Sequence, residues 1–131
     1  MKTILVDAVG CFLIESNEDF RIFKEMHDLL ETFPNKKILM TGANDEEFKK
    51  LGLDKMPYEV FTLKHNPEKT DPKYYETMLE HFGLSKGNVV HFEHNSKAVK
   101  RAEAVGIKSY HYDQEKKNLD ALNNFLMETL G

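Results

Sequence analysis

The order of the elements predicts an α/β domain: a parallel β-sheet covered on both faces by helices. Three observations carry this expectation. Short apolar runs alternate along the whole chain with longer amphipathic segments. Most amphipathic segments open on Asn or Asp and close at Gly or Pro. Polar residues suited to chemistry sit just after the apolar runs, where an open parallel sheet places its ligand site.

The first run, Thr3 to Val6, reads as a buried strand ending at Asp7. Asn17 is placed to cap a helix from Glu18 to Phe33, with apolar residues at Phe20, Phe23, Met26, Leu29, Leu30 and Phe33. Lys37 to Met40 is a second strand leading into Thr41-Gly42, and Asn44 caps a short helix that closes at Gly52. Tyr58 to Leu63 alternates as a third strand. Asp71-Pro72 opens a helix to Phe82, with proline in its first turn and Gly83 as its stop. Asn88 to Phe92 is a fourth strand, and Asn95 or Ser96 caps a helix ending at Gly106. Ile107 to Tyr110 forms a fifth strand, and Gln114 to Leu130 reads as the last helix. Right-handed crossovers join these units into one domain over 1–131.

Bulk composition narrows the function classes. Of 131 residues, 40% are hydrophobic and 31% charged, and 18 basic against 22 acidic side chains leave a net charge of −4. This balance suits a soluble domain and gives no electrostatic footprint for nucleic acid or a membrane surface. The single cysteine, Cys11, permits no intrachain disulfide, which agrees with a reducing, cytoplasmic setting.

The strand ends hold a recurring set of groups. Asp7 follows the first strand, where a carboxylate needs a partner, and could act as a nucleophile toward phosphorus. A turn-capping role is the alternative. Thr41 with Gly42 could hold a phosphate oxygen through a hydroxyl and backbone N–H, or Thr41 could simply bond its own turn. Lys69 stands ahead of a helix and could neutralise both the carboxylate and a phosphate, with Lys64 as a competitor. Glu93 could complete a cation site, with His94 beside it. A zinc cluster of His91, Glu93 and His94 is disfavoured, because His91 and His94 project to different faces and no further thiol or imidazole lies at a suitable spacing. His91 is expected in or beside the core.

Taken in order, these segments resemble the haloacid dehalogenase-like (HAD-like) hydrolase superfamily. The first motif is Ile4-Leu5-Val6-Asp7-Ala8-Val9-Gly10-Cys11-Phe12, and the second is Ile38-Leu39-Met40-Thr41-Gly42. The third is Lys69-Thr70-Asp71-Pro72, with Thr70 where the family has proline. The fourth runs from Val89 to Ser96 and is followed by Ala102-Glu103-Ala104-Val105-Gly106-Ile107. The resemblance spans residues 3 to 113. It implies a three-layer, Rossmann-like domain with a five-stranded parallel sheet of order 3-2-1-4-5. It also implies Asp7 as the nucleophile of a phosphatase-type reaction, with Lys69 beside it in the chemistry. Thr41, Gly42 and Lys69 would bind phosphate. Mg²⁺ would be held by Asp7, the Val9 carbonyl and the acidic group at Glu93-His94.

Three departures qualify those implications. Val9 occupies the position of the family's general acid/base Asp and cannot carry a proton. Losing such a group costs about 10²–10⁴-fold in rate. His94 stands where the family has an Asp ligand, which weakens a site for an oxygen-seeking ion or favours a transition metal. The segment between the first motif and the second strand has no room for a cap domain, which favours a large phosphorylated substrate or a neighbouring subunit as cover. Two functions follow: a weak or specialised phosphohydrolase, or a binding or regulatory protein that keeps the fold without turnover. Haloacid dehalogenation and a receiver-domain role fit less well, since the cap is missing and Asp7 precedes every other acidic site residue.

Overall fold

The computed structural model describes residues 1–130. Its main sheet contains β1 (Thr3–Asp7), β4 (Lys37–Thr41), β5 (Glu59–Thr62), β6 (Val89–Glu93) and β7 (Lys108–His111), all parallel, in the order β5-β4-β1-β6-β7. Numbered among themselves in chain order, these strands run 3-2-1-4-5, as the resemblance implied. Every residue of β1, β4 and β6 is buried. That is the signature of central strands covered on both faces, and it explains why their sequences are nearly continuous apolar runs.

The period-two alternation of side chains divides the core into two halves. Ile4, Val6, Leu39, Val90 and Phe92 face one side. There they pack with Met26 and Leu30 of α1 (Lys24–Glu31) and with Leu122 and Leu126 of α5 (Leu119–Leu130). Leu5, Ile38 and Met40 face the other. They meet Tyr74, Tyr75 and Met78 of α3 (Pro72–Phe82) and Ala102 of α4 (Ser96–Ala104). Asn44 caps α2 (Asp45–Lys50) through a reciprocal pair of hydrogen bonds with Glu47. Asp71 caps α3 and Asn95 caps α4, so the cap residues legible in the sequence fix where these helices leave the sheet's rim.

Two elements differ from the sequence expectation. The helix expected from Glu18 to Phe33 is instead an antiparallel hairpin followed by a shorter helix. The hairpin pairs β2 (Leu13–Ser16) with β3 (Asp19–Ile22), and α1 starts only at Lys24. Asn17 and Glu18 both take positive φ, 49° and 66°. A two-residue turn with both residues left-handed matches the twist of paired strands, so Asn17 serves the turn and does not cap a helix. The last helix begins at Leu119, later than the expected Gln114. Asp113 accepts the N–H groups of Glu115 and Lys116 in a turn, and Asn118 accepts from Ala121 to start the helix. No cap domain interrupts the chain between β1 and β4; the hairpin and α1 occupy that segment. Among the described residues no helix is long and apolar enough to cross a membrane.

Candidate functional site

The loops after β1, β4 and β6 open on one rim of the sheet, around a cleft of about 530 Å³. Asp7, Val9, Thr41, Gly42, Lys69, Glu93 and His94 all line it. The fold therefore brings every site residue expected from the sequence to one place.

Asp7 and Glu93 are the last residues of neighbouring strands, and both side chains are buried. Lys69 reaches between them, with Nζ 2.7 Å from Asp7 Oδ1 and 2.7 Å from Glu93 Oε1. His94 closes the other side. Its Nδ1 donates to Asp7 Oδ2 and lies 3.2 Å from Glu93 Oε2. Each carboxylate thus gives one oxygen to the ammonium and the other to the imidazole. Asp7 Oδ2 also accepts from the Cys11 thiol at 3.3 Å, and Glu93 Oε2 accepts the Asn95 N–H at 3.2 Å.

The electrostatics follow from this ring. Burial alone would raise the Asp7 carboxyl, but the Lys69 ammonium and the His94 hydrogen bond hold it well below the usual carboxylate range. Burial works against the Lys69 charge, yet Asp7 and Glu93 keep its pKa well above the ordinary lysine value. Hydrogen bonds to Asp7 and Glu93 push His94 up to about 10, so it is a cation at neutral pH. Burial, reinforced by the charge of Asp7, pushes the Cys11 thiol up, and it stays protonated. Two anions and two cations therefore balance. This pairing offsets the desolvation that would otherwise make buried carboxylates so costly.

Thr41 ends β4 beside this ring. Its hydroxyl accepts the Ala43 N–H at 3.2 Å, and its carbonyl accepts the Tyr74 hydroxyl at 2.7 Å. Gly42 faces the ring of His65, which a Cβ there would approach at 3.3 Å. His65 joins Glu47 and Glu68 at 2.5 Å each, closing the α2 side of the cleft. Lys64 is bonded to Asp45 at 2.9 Å, and it is Lys69 that supplies the ammonium on Asp7. His91 is fully buried, with Nδ1 3.0 Å from Ser109 Oγ, and burial holds its pKa down to about 4. It is a core residue, as the sequence suggested.

Sequence reasoning gave no role to Cys11, His65, Glu47 or Glu68. Cys11 sits within the first motif, four residues after Asp7, and that spacing was the available signal. The acidic–imidazole group at the rim had none, because it joins three separate segments.

No family model and no curated protein matches this sequence. Solved structures do. A HAD family enzyme from Bacteroides thetaiotaomicron, an Asp-to-Ala variant in complex with magnesium and inorganic phosphate, superposes with a TM-score of 0.70 at 12% identity. The match covers 87% of this chain and 95% of that one. An uncharacterized protein from Corynebacterium glutamicum gives 0.67 at 14% identity, over 97% and 96% of the two chains. A haloacid dehalogenase-like protein of unknown function from Agrobacterium tumefaciens gives 0.57 at 17%, over 79% and 54%. The chain has the haloacid dehalogenase-like fold.

In the HAD-like frame, Asp7 sits at the rim where the sheet's connections diverge: from β1 the chain builds outward to β4 and β5 on one side and to β6 and β7 on the other. Magnesium, present in the Bacteroides complex, takes oxygen ligands in near-octahedral geometry. The cradle that a cation between Asp7 and Glu93 would need is filled here by the His94 ring. Gly10, at φ 105°, leaves the space: a Cβ there would lie 2.6 Å from both Nδ1 and Cε1 of His94. The mutually close ligand atoms are those of Asp7, Cys11 and His94, within 4.8 Å of one another. A carboxylate, a protonated thiol and an imidazole do not suit magnesium.

Proposed function

We propose that this HAD-like chain binds a phosphomonoester at the Asp7 rim and hydrolyses it slowly through an aspartyl-phosphate. The observation that carries the reading is the Asp7–Lys69 contact at 2.7 Å on the floor of the cleft, with Thr41 and Gly42 lining the same cleft. Lys69, the Thr41 hydroxyl and the Gly42 N–H would hold phosphoryl oxygens against Asp7. An Asp7 oxygen then bonds to phosphorus as the bond to the ester oxygen breaks, and the departing alkoxide takes a proton from water. Water next adds to phosphorus, loses a proton to solvent, and releases orthophosphate with Asp7 restored. Val9 supplies no proton at either step, so turnover is slower by about 10²–10⁴-fold than with a positioned acid/base. With no cap over the cleft, water enters freely and a large phosphorylated partner can reach Asp7.

A second reading is a binding or regulatory protein without turnover. It is favoured by one specific feature: both Asp7 oxygens already accept hydrogen bonds, from Lys69 and His94, which lowers their nucleophilicity. Phosphate release across a panel of phosphomonoesters, for the parent and Asp7→Asn, separates the two. The phosphatase reading expects slow release that disappears in Asp7→Asn, and release that survives the substitution contradicts it. Phosphate binding without release in the parent supports the binding protein.

A further inference from the structure

We infer that the His94 imidazole occupies the place of a divalent cation at this rim, and that the site handles phosphate without a metal. Asp7 and Glu93 present four carboxylate oxygens; Lys69 takes one from each and His94 faces the other pair. No oxygen of either group is left over to start a coordination shell. The imidazole is seated in a made space. It lies over Gly10, where any side chain would collide with the ring. Its backbone is tied from both sides as well: the His94 N–H lies 3.4 Å from Asp7 Oδ2, and the His94 carbonyl accepts from His111 Nε2 at 2.9 Å. Entry of Mg²⁺ would require that ring to leave, the two carboxylates to be released together, and two like charges to approach each other meanwhile.

Cys11 does not rescue a softer site. Its sulfur is fully buried and lends its proton to Asp7, so a thiolate-seeking ion would have to displace that proton as well as the His94 ring. Both side chains keep an exposed part: Lys69 is 17% and His94 29% exposed, and both line the cleft. The Lys69 ammonium, with the His94 ring beside it, meets an incoming phosphate on the side a metal would otherwise occupy.

This inference deepens the phosphate-handling reading, yet its test needs no turnover. The thermal midpoint of the full chain is measured in EDTA and in millimolar MgCl₂, MnCl₂ or ZnCl₂, for the parent, His94→Asp and His94→Asn. The parent midpoint is expected to be the same in all conditions, because a ligand stabilises only the state it binds. His94→Asp, with three carboxylates against one ammonium, is expected to be weakened in EDTA and to rise by several degrees with Mg²⁺. His94→Asn, neutral and an oxygen donor, should show a smaller rise if the Asp variant does not fold. A saturable rise in the parent that is lost in Asp7→Asn would overturn the inference. Loss of phosphate release with an unresponsive parent midpoint would overturn the hydrolase reading alone.

Discussion

His94 and His91 are three residues apart and titrate in opposite directions. His94 is held protonated by two carboxylates, with its pKa pushed up to about 10. His91 is held neutral by burial, with its pKa pushed down to about 4. For His94 the folded value lies above the unfolded one, so its stabilisation is complete below the ordinary histidine pKa of about 6.5 and fades as pH climbs toward 10. For His91 the folded value lies below, so stability is lost as pH falls from that same ordinary value toward 4. The two together place maximum stability near neutral pH. Urea unfolding across pH should show a dome, and His94→Gln should flatten its alkaline side while the loss due to His91, as pH falls from about 6.5 toward 4, persists. An unchanged alkaline limb in His94→Gln would mean that the imidazole is not held as described. At this scale the sequence was informative about residue identity: Asp7, Thr41, Lys69 and Glu93 were found because each follows a strand or opens a helix. The pairing was not legible. That His94 closes a ring with Glu93 and Asp7 depends on side-chain directions at the ends of two strands, which spacing along the chain does not encode.

The hairpin of β2 and β3 is the element that sequence periodicity misassigned. Phe20, Phe23, Met26, Leu29, Leu30 and Phe33 recur at helical spacing, yet only the later part is helical. Glu18 in the left-handed region is the local reason, since a non-glycine residue there carries a steric cost and no Gly marked the turn. The signal that was present is the Asn17 turn residue, followed by alternating exposure along β3. A substitution discriminates the two assignments. Glu18→Gly gives an Asn-Gly turn suited to this hairpin and should stabilise by about 0.5–1 kcal/mol. As the first residue of a helix capped by Asn17, the same change would bring no gain and would lose part of the helix propensity of Glu, up to about 1 kcal/mol. Denaturant midpoints of parent and variant decide it. The start of α5 shows the same competition in milder form: Asp113 and Asn118 bind nearby backbone N–H groups and hold residues 114–117 in a turn. The other helices were legible because Asn44, Asp71 and Asn95 cap them as their side-chain chemistry dictates.

Across the whole molecule, strand order and site position follow from one pattern. The three most apolar runs became the three central strands, and the polar residues after them were carried to a common rim. Helices on both faces supply the two half-cores, so the rim is backed by packed side chains on either side of the sheet. What remains open is the cleft itself, with the Asp7 ring at its floor and the His65–Glu47–Glu68 cluster along its edge. On the proposed function, this rim accepts phosphate through the protein's own side chains. The most direct measurement is a backbone amide NMR titration with inorganic phosphate in EDTA, for the parent and Lys69→Met. Saturable shifts confined to residues around Asp7, Gly42 and His94, present in EDTA and abolished in Lys69→Met, are the predicted result. Shifts that appear only after magnesium is added, or none at the rim under either condition, would contradict it.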